Sequence, residues 1–304
     1  MTHPNSPGVP GSAGLPENAT PTTAPATGAV IIPAHNEEHV IARTLQCLSP
    51  FSRGERGEVE VLVVCNGCSD RTADTARRFA GVTVIEIDVA SKPHAMNVGD
   101  ASTTRWPRLY LDADIEIQPS AVESVFRELS RDGGSLAARA SSTVNVQDAS
   151  FLVRAYFRAR SRIPEQGTRL WGAGGYAVSE RGHGRFERFP EVTNDDSYFD
   201  SLFEEGEKRV LPTAPMLVQV PRSTPTLLNV LTRHRRGQLE LGMQQSSQPA
   251  RRARALVKSI RGVPSAVDAF CYAGLTQIAR ARSRGAVGRG TSRWETDGST
   301  RPDE

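Results

Sequence analysis

Apolar residues in this chain fall into short unbroken runs, separated by stretches in which they recur at helical spacing. Ala29-Val30-Ile31-Ile32 is the first run, as in a strand covered on both faces. Pro33 is expected to stop it. Glu37 and Glu38 are expected to open a helix carrying Val40, Ile41, Leu45 and Leu48 on one side. Val59 to Val64 reads as a second strand, running into the turn residues Asn66-Gly67. Ser69 or Asp70 caps the following helix, which runs to about Phe79. Val82 to Ile87 is a third strand, Lys92 to Ala101 a third helix and Leu109 to Leu111 a fourth strand. This alternation predicts an α/β fold, a Rossmann-like, mostly parallel sheet flanked by helices.

Beyond Asp114 the rhythm changes. Pro119 suits the first turn of a helix bearing Val122, Val125, Phe126 and Leu129. Leu136 to Val146 reads as a longer strand, Phe151 to Ala159 as a helix, and Trp171 to Tyr176 as a glycine-rich approach to Ala177-Val178. Glu191 to Phe203 is an acidic cluster running into a helix. Residues 1–27 and 285–304 lack apolar periodicity and read as disordered tails. They bracket a main domain over 28–241 and a basic helical extension over 242–284, with no internal repeat.

Composition narrows the function. At 304 residues with a formal net charge of +3, the chain is too weakly basic for charge alone to argue nucleic-acid binding, and none is expected. No stretch approaches the roughly 20 apolar residues of a membrane span, and no signal peptide is visible. Cys47, Cys65, Cys68 and Cys271 lie in helix- or strand-like contexts that suit a reducing cytosol, so the expected location is cytoplasmic. Cys65-Asn-Gly-Cys68 lacks a second pair or His partners for zinc and does not open a helix as redox pairs do.

The chemistry gathers at strand ends. Asp112-Ala113-Asp114 follows the fourth strand, and in an open α/β sheet that carboxyl edge is where ligands bind. Two close carboxylates there are costly unless a cation shares the site. A hard divalent ion with oxygen ligands, itself gripping a diphosphate, would remove the cost. Three further sets join it: Pro33-Ala34-His35-Asn36-Glu37-Glu38 after the first strand, Cys65 to Thr72 after the second, and Asn194-Asp195-Asp196 later in the chain. In a parallel sheet the first three sets share one edge.

In this order the motifs resemble the family 2 glycosyltransferases of GT-A fold, over about residues 29–241. The resemblance implies a GT-A domain with a C-terminal acceptor-side region, a nucleotide-sugar donor and Mn2+ or Mg2+ as cofactor. It places Pro33, Ala34, His35, Glu37 and Asn66 at the nucleoside, with Asp70 accepting a hydrogen bond from the base. Asp112 and Ala113 would lie by the ribose, and Asp114, with Asp112, at the metal. Asp196 would be the general base and Asp195 its neighbour orienting the acceptor. Lys92 matches a lysine that precedes the Ala95-Met96-Asn97 segment. Arg233 and Arg236 stand for the arginine-rich segment near the diphosphate, although Gly237 replaces the tryptophan usual there. The implied reaction is inverting transfer to an acceptor hydroxyl, with UDP favoured over GDP.

Each feature also has a plain structural reading. A lone D-x-D is a polar turn, Asp70 a helix cap, Asp195-Asp196 a helix start, and Lys92 a solvated residue. Arg233, Arg235 and Arg236 could form an exposed basic face, and His183 could be an ordinary loop histidine. Gly172, Gly174 and Gly175 either cradle phosphate or allow close packing. The alternative function is a nucleotide-sugar-binding protein without transfer. A nucleotidyltransferase is disfavoured because the loop after the first strand is acidic, not basic and glycine-rich. The acceptor is left open among saccharide, lipid-linked and small-molecule hydroxyls. The basic, partly apolar stretch from Arg251 is either a helix packed on the domain or a peripheral helix on an anionic membrane.

Overall fold

The computed structural model describes residues 25–163, 168–242 and 249–286. Of the two expected tails, residues 1–24 and 287–304 lie outside the described residues. The chain runs through β1 (Thr27–Ala34), α1 (Ile41–Ser52), β2 (Glu58–Asn66), α2 (Thr72–Arg77), β3 (Val82–Ile87), α3 (Lys92–Ala101) and β4 (Arg108–Leu111). It continues as α4 (Pro119–Ser130), β5 (Ala137–Asn145), α5 (Phe151–Ser161), β6 (Gly175–Val178), α6 (Glu180–His183) and α7 (Asp195–Ser201). It ends with β7 (Lys208–Gln219), α8 (Thr224–Glu240), α9 (Pro249–Lys258) and α10 (Val263–Ala286).

The strands form a seven-stranded sheet in the order β3-β2-β1-β4-β6-β5-β7. Pairing is parallel from β3 to β4 and between β5 and β7, and β6 is antiparallel to both of its neighbours. The mostly parallel, helix-flanked sheet is therefore as expected. Side-chain alternation sorts the core into two layers. Val30, Ile32, Val61 and Val63 face α1, α2 and α4, whereas Ile31, Tyr110 and Tyr176 face Met96 of α3 and Phe199 of α7. Each large side chain so buried contributes about 1.5–3 kcal/mol. A third cluster joins Val153 and Tyr156 of α5 to Leu227 of α8 and Leu275 of α10.

Several local expectations differ from what is found. Pro33 does not stop β1, which continues to Ala34. The β1–β4 register ends at Ile31 opposite Tyr110, so on that side there is no ladder for a proline to interrupt. Glu37 and Glu38 do not begin α1. They lie in a turn before Ile41, their N–H groups held by Thr72 Oγ1 and Asp70 Oδ2 at 2.7 and 3.1 Å. The helix of the acidic cluster covers Asp195 to Ser201 only. β7 and α8 have no counterpart in the sequence reading. Pro212 and Pro215 obscure the strand, and the run Arg233-His234-Arg235-Arg236 masks the helix's apolar stripe.

Candidate functional site

The loops after β1 and β2 are tied into one structure. Asn36 takes a left-handed backbone (φ 56°), tolerable for asparagine, and its Oδ1 accepts the N–H groups of Ser69 and Asp70 at 2.7 and 3.3 Å. Asp70 uses both carboxylate oxygens. Oδ2 accepts Glu38 N–H, and Oδ1 accepts Thr72 N–H and its hydroxyl at 3.0 and 2.5 Å. Asp70 thus secures the Glu37-Glu38 turn and the entry to α2. The His35 ring meets Asn66 O at 2.5 Å. Cys68 Sγ accepts Asn36 N–H and donates to Ala34 O, both at 3.4 Å, so this thiol also braces the loop. Pro33 and Ala34 are buried at the strand end, leaving His35 and Glu37 half-buried at the rim. The Asn66 side chain is fully buried, and neither amide atom has a partner among the described residues.

Across the edge, charge concentrates around Lys92. Ser91 caps α3 by accepting His94 N–H, which sets Lys92 in the first helical turn. Its Nζ lies 2.6 Å from Asp112 Oδ1 and 3.1 Å from Asp195 Oδ2. Asp195 also accepts the Tyr176 hydroxyl at 2.6 Å, and both side chains are buried. Burial opposes the ammonium, but Asp112 and Asp195 outweigh it and hold Lys92 above the usual lysine range. Burial pushes the Asp112 carboxyl up; Lys92 counters this and Asp195 adds to it.

Asp196 is oriented by backbone. Its oxygens accept Gly172 N–H at 2.7 Å and Ser197 N–H at 2.6 Å. Burial and the adjacent Asp195 still raise its pKa above that of an ordinary aspartate. The glycine-rich segment serves close packing here. Gly174 has φ 72°, its carbonyl accepts Asp112 N–H at 2.8 Å, and an added Cβ would stand 2.5 Å from Ile115. Ala113 faces the core, and its carbonyl accepts the Thr44 hydroxyl of α1 at 2.7 Å. Asp114 is half-buried in the turn beyond it.

Arg233 and Arg236 lie on α8, which packs against Asn194 at the head of the acidic pair. His234 O accepts Asn194 Nδ2–H at 2.8 Å, and its ring stacks on Trp171 with centroids 5.0 Å apart. Burial, with Arg160, Arg169 and Arg233 nearby, pushes the His234 pKa down to about 4, so the imidazole stays neutral amid three guanidinium groups. The Arg169 guanidinium lies 4.0 Å from the Trp171 ring centroid, and Arg236 Nε is buried without a hydrogen-bond partner among the described residues.

The structure therefore joins Lys92, Asp112, Asp195 and Asp196 in one charged cluster, with α8 held against Asn194 just before the acidic pair. His35, Glu37, Asn66 and Asp70 form a second cluster, on the strands next along the same edge. Tyr176, Arg160, Arg169 and His234 escaped the sequence reading, and Gly172, read there as a phosphate cradle or a packing residue, instead donates its N–H to Asp196. Tyr176 had a signal, a polar-tipped aromatic at a strand start immediately after the glycines. His183 lies elsewhere, 3.1 Å from Asp100, beside a cleft of about 430 Å³ that shares no lining residue with the acidic pair. Among the described residues no three His, Cys, Asp or Glu side chains are grouped to hold a metal by themselves.

A mostly parallel sheet with helices on both faces and acidic residues along its carboxyl edge is the GT-A glycosyltransferase architecture. Residues 29–173 match the model of Glycosyl transferase family 2. Among solved structures, a mannosyltransferase from Pyrobaculum calidifontis in complex with GDP-Man and Mn2+ is similar over 90% of this chain and 80% of its own, at 19% identity and TM-score 0.54. The M. tuberculosis glucosyl-3-phosphoglycerate synthase covers 65% of this chain and 71% of its own, at 21% identity and TM-score 0.43. S. aureus TarS 1-349 in complex with UDP-GlcNAc covers 88% and 93%, at 16% identity and TM-score 0.48. A search of curated proteins gave no significant match.

Proposed function

We propose that this chain transfers a sugar, with inversion, from a nucleoside diphosphate donor to an acceptor hydroxyl, using UDP in preference to GDP. The observation that carries the reading is Lys92 between Asp112 and Asp195, because it joins the end of β4 to the start of α7. Asp196 is the base. As the acceptor oxygen attacks the anomeric carbon, its proton passes to Asp196 while the bond from that carbon to the phosphate oxygen breaks. A single displacement of this kind inverts the centre, as in inverting hydrolases. Asp195 is held by Tyr176 and Lys92 and serves as the fixed neighbour that keeps the Asp196 carboxylate basic.

The donor nucleoside lies over His35 and Glu37 at the rim, with the buried Asn66 side chain beneath them, its amide atoms without a partner among the described residues. Asp70 acts there by shaping the loop. Arg233 and Arg236 face the diphosphate. Asp114, with Asp112, would hold Mn2+ or Mg2+. Hard carboxylate oxygens suit either ion. The ion would supply positive charge for the leaving diphosphate. The Pyrobaculum enzyme, with GDP-Man and Mn2+ in its structure, supports this donor type and cofactor.

A thermal-shift screen of UDP- and GDP-sugars, with and without manganese, tests the donor. One nucleotide sugar should raise the Tm, and only with the ion. Asp196→Asn should keep that shift while transfer falls by about 10²–10⁴-fold. Absence of any shift, or full turnover in the variant, would overturn the reading. Donor binding without transfer by the unaltered chain would favour a binding protein instead.

A further inference from the structure

α10 is apolar on two opposite faces, and among the described residues only one is covered. Asp268, Tyr272, Leu275 and Ala279 face α5 and α8, where Asp268 (2% exposed) receives Arg158 at 2.7 Å and Arg162 at 2.6 Å. On the far side Val263, Val267, Phe270 and Ile278 form a second stripe at helical spacing. Val263 is 78% exposed and Phe270 80%. Asp268 is the sole charged residue between Arg261 and Arg280, so the outer stripe is uninterrupted. A helix apolar all round is normally covered all round. Val257 and Ile260, also exposed, extend the apolar surface to the end of α9, where Arg254, Lys258 and Arg261 are exposed as well.

We propose that this outer face of α10, with the basic end of α9, seats the protein on an anionic membrane surface. Charge selects the occupant. Residues 249–286 contain eight Lys and Arg against one acid, Asp268, which is already tied to α5. Two copies packed face to face would bring these cations together, whereas anionic headgroups neutralise them. The helix lies on the surface, with apolar side chains in the headgroup boundary and cations around them. Among the described residues no helix is long and apolar enough to cross a membrane. This seat is independent of the sugar-transfer reading.

Vesicle sedimentation of the full chain tests it. Vesicles of phosphatidylcholine containing about one third phosphatidylglycerol should pellet at least about fivefold more protein than phosphatidylcholine alone, and about 0.5 M salt should remove most of that excess. The double variant Val263→Ser/Phe270→Ser should lose the excess with its Tm unchanged, since both side chains are exposed. Arg254→Glu/Lys258→Glu should lose it without touching the apolar stripe. Equal pelleting on both vesicles, or none, overturns the proposal. So does a concentration-dependent dimer in sedimentation equilibrium that the serine variant abolishes, which would make a second copy the occupant.

Discussion

Lys92 Nζ stands 2.6 Å from Asp112 and 3.1 Å from Asp195, so one ammonium joins the end of β4 to the first turn of α7. Lys92→Met would leave two neighbouring carboxylates without their cation. The expected loss of stability is about 1–3 kcal/mol, toward the low side of buried ion pairs because Asp112 is partly exposed. Urea denaturation measures it. Unchanged stability would mean that the bridge is not formed in solution.

The rate should depend on pH through Asp196. A base works deprotonated, and burial followed by Asp195 raises the pKa of this carboxyl. The acid limb of kcat/KM should therefore lie above that of an ordinary aspartate. Asp195→Asn removes the second of these causes and should move the limb to lower pH, whatever it does to the maximal rate. A limb that stays in place would show that Asp195 does not tune the base.

Asp114 is separated from the charged cluster by one residue, Ala113, which is turned into the core. Asp114→Ala should abolish the manganese-dependent part of UDP binding in calorimetry, while the melting curve of the unliganded protein stays close to the parent's. Identical UDP affinity with manganese in both proteins would remove Asp114 from the metal.

Gly237 is where the chain departs from the family's usual tryptophan. A Cβ there would meet the Asn194 side chain at 2.4 to 2.7 Å, and that side chain is buried and bonded to His234 O. Gly237→Ala should therefore push Asn194, and with it the start of α7, away from α8. We expect a cost of about 1–3 kcal/mol and a fall in transfer larger than the loss of folded protein explains. Thermal melting and specific activity at matched folded fraction check this. A fully active, equally stable variant would show that the contact yields freely.

The parallel half was legible because hydrophobic period and turn chemistry agreed there. β3 and α3 fall on the residues expected, since Val82 to Ile87 is a clean run and Ser91 and Pro93 mark a helix start. Topology put the ends of β1, β2 and β4 on one edge; Asp195 was joined to them only by the family resemblance, and Lys92 ties it to Asp112. Less legible were residues whose job depends on a distant partner. Asp70 reads from sequence as a group offered to a base, yet it holds Glu38 N–H across the loop. Tyr176 becomes a partner of Asp195 only because α7 returns beneath the sheet. α8 was hidden because its basic run looks like a motif and its Gly237 like a break.

The reversal of β6 has a consequence for what insertions the chain can bear. Leu111 pairs with Gly175 and Tyr110 with Tyr176, so the polypeptide enters β6 where β4 leaves the sheet. Tyr176 belongs to the α3 and α7 layer, and Ala177 to the opposite one. Adding or deleting a single residue between Gly172 and Gly175 would exchange these two and turn the phenol away from Asp195. The spacing of those few glycines is thus a gauge for the Tyr176–Asp195 contact, and drift in length belongs in other loops.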